Sequence, residues 1–154
     1  MLPIGVIMPV YNTPAAFLSE ALDSILAQSF ENFEFLILDD CSSNGETLDC
    51  LHSIHDCRVK IIRNPVNQGI TKTLNIGLKA SRGKFVARMD SDDISLPERF
   101  VKQLAFMEEH PDVILCGSSV KTFGDRNQIW QVDTDDQELY KIRLLFYNPG
   151  PSHP

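Results

Sequence analysis

No stretch of this sequence is apolar enough to cross a bilayer. The longest run, Ile4 to Tyr11, is eight residues long and already contains Gly5 and Pro9, against the roughly 20 that a spanning helix needs. No basic segment precedes that run, so a secretory leader is not expected either. Positive charge is scarce: 14 Lys+Arg stand against 21 Asp+Glu, a net charge of -7, and the basic residues are scattered singly. Affinity for a phosphate backbone comes from clustered Lys and Arg, so no nucleic-acid partner is expected. An anionic ligand would need a metal ion or a helix N-terminus to hold it. Two nucleotide signatures are missing as well. Pro9-Val10-Tyr11-Asn12 stands where a Gly-x-Gly-x-x-Gly would follow the first strand, and no Gly-Lys-Ser/Thr occurs, which argues against a standard NAD or FAD site and a P-loop. Cysteines number only four, and a chain this rich in aliphatic residues can build a core without staples, so reduced thiols in a cytoplasmic protein are expected. Cys50, His52, His55 and Cys57 are zinc-ligand types, but their spacing lacks the two ligand pairs of a zinc finger.

What is present suits one globular α/β domain of 154 residues, 43% of them hydrophobic. Hydrophobic runs broken by turn residues predict strands at Ile4–Met8 (ended by Pro9), Glu34–Leu38, Arg58–Arg63 and Lys84–Met89. Between them, helices are expected from Pro14 to about Gln28 with Phe17, Ala21, Leu22, Ile25 and Leu26 facing inward, from a Ser43/Glu46 capping box to about Ile54, and from Gly69 to Ala80. A Ser95/Glu98 box should open a fourth helix with Phe100, Leu104 and Met107 inward, Val113 to Phe123 reads as one or two strands, and Asp135 to about Phe146 as a last helix. Such alternation favours a Rossmann-like, mostly parallel sheet with helices on both faces. Ligands of such sheets bind beyond the carboxyl ends of the strands. Here those ends are Pro9–Asn12, Asp39-Asp40, Asn64–Gly69 and Asp90–Asp93.

Asp90-Ser91-Asp92-Asp93 places three carboxylates within four residues directly after a buried strand. Like charges this close repel, and a cation is a common reason to keep them together. Few carboxylates and hard oxygen donors suit Mg2+ or Mn2+ shared with substrate phosphates. An EF-hand is excluded, because Ser95 holds the sixth position and Val101 the twelfth. Asp39-Asp40 repeats the pattern at the second strand end, where a fixed carboxylate can accept from a base N–H or a ribose hydroxyl. Arg88 is placed to add positive charge, and Asn67 with Gly69 to let a ligand approach the backbone at a helix start.

Pro9-Val10-Tyr11-Asn12, Leu38-Asp39-Asp40-Cys41-Ser42, Asn67-Gln68-Gly69 with Asn75-Ile76-Gly77, Gly83, and Arg88-Met89-Asp90-Ser91-Asp92-Asp93 follow one another from about residue 4 to residue 110. The ordered set resembles the family 2 glycosyltransferases of the GT-A fold. The resemblance implies an inverting, metal-assisted transfer of a sugar from a nucleotide-diphosphate donor, UDP being the family's commonest, to a glycan or lipid-linked acceptor, as in bacterial polysaccharide biosynthesis. It implies that Pro9 and Tyr11 line the nucleotide pocket, that Asp40 recognises the base, that Asp90 approaches the ribose or sugar, and that Asp92, with Asp90, binds Mn2+ or Mg2+. Asn12, Asn67, Gly69 and Arg88 complete the expected donor site. The implied location is the cytoplasm, at the inner face of the membrane through regions beyond this sequence.

One departure from the family pattern bears on mechanism. Inverting relatives use an acid well after the Asp-x-Asp as general base, and no comparable motif is visible here: Asp133–Asp136, with Thr134 between the acids, reads as a charged helix start. The expectation is therefore a donor-binding GT-A domain over residues 1–154, cut before the acceptor-binding part, with His153 an active-site neighbour and the base outside the sequence. Two other classes compete. A sugar nucleotidyltransferase would want a Gly-rich, basic loop after the first strand, which Tyr11-Asn12-Thr13-Pro14 is not; a non-catalytic nucleotide-binding module would account for the missing base.

Overall fold

The computed structural model describes residues 2–123 and 127–130. Four strands, β1 (Leu2–Val10), β2 (Phe33–Asp39), β3 (Val59–Arg63) and β4 (Gly83–Arg88), alternate with four helices, α1 (Ala15–Leu26), α2 (Gly45–His52), α3 (Ile70–Ala80) and α4 (Arg99–Glu109). The strands form one parallel sheet in the order β3-β2-β1-β4. The chain thus winds outward from β1 to β3 and then crosses back to the other side of β1, which makes the carboxyl end of β1 the point where strand order reverses. A short antiparallel pair follows, β5 (Val120–Lys121) with β6 (Ile129–Trp130).

Helices cover both faces. On one, Val6, Met8, Phe35 and Ile37 pack with Leu18, Ala21, Leu22 and Ile25 of α1, Leu51 of α2 and Phe100 of α4. On the other, Ile7, Leu36 and Leu38 meet Leu74 and Ala80 of α3. Every residue of β2 is buried, which explains why its sequence is a near-continuous apolar run instead of an alternation. Gly77 sets how closely α3 approaches: a Cβ there would lie 2.5 Å from Leu38 Cδ1 and 3.1 Å from Ile7 Cγ2.

Several local expectations are corrected. Pro9 does not end β1 but pairs within it, opposite Leu38. The ladder tolerates it because Ile7 and Pro9 face β4, whose last bond to β1 is donated by the Met89 amide to the Ile7 carbonyl at 3.0 Å; the donor proline lacks would point past the end of β4. In α1 the inward stripe uses Leu18, while Phe17 is exposed. The α2 cap is Asn44, whose side chain accepts from the Glu46 amide at 3.0 Å, and not Ser43. No strand forms over residues 113–119. The helix expected from Asp135, the acids Asp133–Asp136 and His153 lie outside the described residues.

The Ser95/Glu98 box also fails to form, because Gln28 takes its place. The buried Gln28 amide donates to the Leu96 carbonyl at 2.8 Å and to Ser95 Oγ at 3.2 Å, and its oxygen accepts from the Phe100 amide at 3.2 Å, an otherwise orphaned first-turn donor of α4. Glu98 turns outward to Lys102 instead, at 2.6 Å. One side chain at the end of α1 thus fixes the segment between β4 and α4. Gln28→Ala is expected to lower unfolding free energy by roughly 1–3 kcal/mol by leaving several buried groups unpaired; urea unfolding with a loss under about 0.5 kcal/mol would contradict this role.

Candidate functional site

At the reversal point the carboxyl ends of three strands surround a cavity of about 340 Å³. The β1 end supplies its floor with Pro9, Val10, Tyr11 and Thr13. One wall comes from the β2 end and the start of α3: Asp40, Asn67, Gly69, Ile70 and Thr73. The opposite wall is Asp90, Ser91 and Asp92, directly beyond β4. Because β1 lies between β2 and β4, the two acidic groups face each other across it. Thr13 Oγ1 and Ser91 Oγ, 2.7 Å apart, tie the floor to the Asp90 wall.

Asp40 is almost completely buried. Its Oδ1 accepts from Asn64 Nδ2 at 2.7 Å and the Gln68 amide at 2.9 Å, and its Oδ2 accepts from the Gly69 amide at 2.8 Å. Burial alone would raise its pKa, but these hydrogen bonds, with the Thr73 hydroxyl nearby, outweigh it and hold the carboxyl below its ordinary value. Gly69, at φ 81°, occupies the N-cap position of α3 and has no side chain to offer. Asp40 thus holds the two amides just ahead of α3, whose first helical residue is Ile70, and fixes the entry to that helix from the end of β2.

Asp39 points the other way. Its Oδ1 accepts from the Ser42 amide at 2.8 Å and its Oδ2 pairs with Arg63, so it closes the loop after β2 instead of facing the cavity. Beyond β4, Asp90 accepts from Arg88, with Nη2 at 2.9 Å from Oδ1, and Asp92 is exposed. Arg99 steadies this strand end from α4: its Nη2 donates to the Arg88 carbonyl at 2.9 Å and its Nη1 lies 3.6 Å from Met89 Sδ. Burial lowers the Arg99 pKa to about 10.

The residues expected at a donor site thus divide. Pro9, Tyr11, Asp40, Asn67, Gly69, Asp90 and Asp92 all line the cavity; Asn12 and Arg88 do not. Asn12 adopts a left-handed conformation, φ 51°, and its Oδ1 accepts from the Ser43 and Asn44 amides at 2.8 and 2.9 Å, so that oxygen joins the β1 and β2 loops. Arg88 donates from Nε and Nη2 to Asp90. Val10, Thr13, Ile70, Thr73 and Ser91 also line the cavity, although the sequence alone does not single them out; Thr13 and Ser91 stand inside or beside motifs that it does mark.

No group of three or more His, Cys, Asp or Glu side chains comes together as a metal site among the described residues, and all four cysteines are free. Cys50, His52, His55 and Cys57 accordingly do not assemble. At the cavity, two carboxylates, Asp90 and Asp92, share one wall. That donor set fits Mg2+ or Mn2+, which typically take one or two carboxylates and complete their shell with substrate phosphates and water. No helix among the described residues is long and apolar enough to cross a membrane.

Comparison with known proteins gives one consistent result. Residues 5–153 match the model of the family described as Glycosyl transferase family 2. EpsE of Bacillus subtilis (strain 168), which carries a glycosyltransferase name, is 36% identical over 124 residues, 79% of this chain and 44% of that protein. An uncharacterized glycosyltransferase of Haemophilus influenzae is 32% identical over 159 residues, 95% of this chain and 48% of its own length. The chain spans about half the length of the curated relatives it matches. Among solved structures, S. aureus TarS 1-349 in complex with UDP-GlcNAc superposes with a TM-score of 0.70 at 32% identity, covering 82% of this chain and 37% of TarS. The mannosyltransferase PcManGT from Pyrobaculum calidifontis, in complex with GDP-Man and Mn2+, gives 0.60 at 25% identity, covering 79% of this chain and 36% of that one.

Proposed function

Since the chain belongs to glycosyl transferase family 2, we propose that residues 1–154 are the donor-binding part of an inverting glycosyltransferase that takes its sugar from a nucleotide diphosphate, with UDP the first choice of carrier. The observation that carries this reading is the cavity with a buried, ionised Asp40 on one wall and Asp90 and Asp92 on the other. The nucleoside lies along Tyr11, Asp40 and the start of α3. The diphosphate lies toward Asp90 and Asp92, where a net charge of -7 and two carboxylates would repel it unless a cation intervened. Asp92 with Asp90 would hold Mn2+ or Mg2+, which would supply positive charge to the diphosphate, the leaving group on which negative charge grows.

The chain's own residues orient the donor. Pro9 and Tyr11 give the floor a fixed, partly apolar surface, and the Thr13–Ser91 bond holds the Asp90 wall to it. The acceptor, a glycan or lipid-linked sugar, approaches from the side of the cavity that these elements leave open. The base that deprotonates it is not identified in this chain, for the carboxylates lining the cavity, Asp40, Asp90 and Asp92, already have other roles.

A thermal-shift series with UDP, GDP and deoxythymidine diphosphate, each with and without Mn2+, tests the reading, since a ligand that binds the native state raises its apparent stability. At least one diphosphate is expected to raise Tm in the presence of Mn2+ and to have little effect in EDTA. No shift with any of the three would overturn the assignment.

A further inference from the structure

Asn64 is the first residue after β3 and is buried, yet it does not line the cavity. Its backbone amide donates to the Asp39 carbonyl at 2.8 Å and so prolongs the β2–β3 ladder by one bond. Its side chain then uses both N–H donors on groups that do line the cavity. Nδ2 donates to Asp40 Oδ1 at 2.7 Å and to Thr73 Oγ1 at 3.0 Å. Through these two bonds one amide spans the end of β2 and the first turn of α3.

A carboxylate offers about four acceptor sites, and in Asp40 three are taken: Oδ1 accepts from Asn64 and the Gln68 amide, Oδ2 from the Gly69 amide. Those three bonds fix the carboxylate's orientation and tie the loop before α3 to the β2 end, while one acceptor site on Oδ2 is left for a ligand. A ligand N–H that reaches Asp40 meets an acceptor already aimed by its neighbours.

We propose that Asn64 is a positioning residue for the nucleotide pocket: by holding Asp40 and Thr73 together it fixes the wall against which the nucleoside binds. This rests on the donor-binding reading above. It assigns the affinity of the nucleoside wall to a side chain that the ligand does not touch. Losing the Asn64 amide leaves a buried carboxylate short of one donor, and a group so placed recovers by moving. The movement available is of Asp40 itself or of the loop from Pro65 to Gly69, and either opens that wall. The Asp90–Asp92 wall, on the far side of β1, has no bond to Asn64 and keeps its geometry.

The test measures UDP affinity in EDTA and in Mn2+ for the unmodified chain, Asn64→Ala and Ile25→Ala. Ile25→Ala removes core packing of α1 away from the cavity and controls for general loss of stability. Asn64→Ala is expected to weaken UDP about 10-fold in both conditions, leaving the Mn2+-to-EDTA affinity ratio as it was, while Ile25→Ala lowers Tm and leaves both affinities unchanged. Unchanged UDP affinity in Asn64→Ala, or a loss confined to the Mn2+ condition, would overturn the inference and leave the donor-site reading standing. Failure of the unmodified chain to bind UDP, GDP or deoxythymidine diphosphate would overturn both. If Asn64→Ala does not fold, Asn64→Ser, with its shorter donor, is read by the same ratio and the same outcomes decide.

Discussion

Asp92→Asn is expected to remove the Mn2+ dependence of nucleoside-diphosphate binding, a loss of at least ~10-fold, or about 1.4 kcal/mol, in the presence of metal. Its affinity in EDTA should not fall. Asp92 is exposed and shares its short loop with Asp90 and Asp93, so substitution removes one of several crowded like charges. The melting temperature should therefore stay within a few degrees or rise, because a carboxylate kept for binding is seldom one that stabilises the fold. An unfolded variant would show instead that Asp92 holds the loop together. Retention of the full metal effect would remove Asp92 from the metal site.

The second large effect concerns turnover. The 154 residues alone are expected to bind donor but to transfer sugar ~10²- to 10⁴-fold more slowly than a form carrying the acceptor-side length of the relatives, the range that general-base assistance typically supplies. The motivation is twofold. The chain spans about half the length of its curated relatives, and no carboxylate lining the cavity is left over to act as base. Asp40 holds the loop ahead of α3, Asp90 pairs with Arg88, and Asp92 is the residue we propose to hold the metal. Slow hydrolysis of the donor by water is compatible with this account. Radiolabelled sugar transferred efficiently to a supplied acceptor by the isolated chain would contradict it and would direct attention to the acids from Asp133 to Glu138 as the base.

Strands β1 and β2 were legible because they are largely buried, and such burial writes itself into sequence as a near-continuous apolar run followed by polar residues, although β1 runs on past Pro9 to Val10. Seven of the residues marked for the donor site line one cavity for the same reason: they stand at strand ends, and parallel topology brings those ends together. What was not legible is what depends on a distant partner. Ser95 and Glu98 have the spacing of a capping box, but Gln28, 67 residues earlier, claims the Ser95 hydroxyl. Asn44 displaces Ser43 as cap because Asn12, across the loop, holds the Ser43 and Asn44 amides and sets the backbone between them. Asn64 before Pro65 reads as a turn, and nothing local marks it as the donor to a carboxylate 24 residues away. Residue type and position alone suggest Asn12 and Arg88 as ligand contacts; in the fold neither lines the cavity, Asn12 Oδ1 holding two amides of the β2 loop and Arg88 pairing with Asp90.

Calorimetric titration of UDP into the chain, once in EDTA and once in Mn2+, tests the donor-site account most directly, with GDP and deoxythymidine diphosphate run in parallel. The account predicts weak binding without metal and at least ~10-fold tighter binding with it for at least one of the three. Equal affinity in EDTA and Mn2+, or no binding in either, would contradict it.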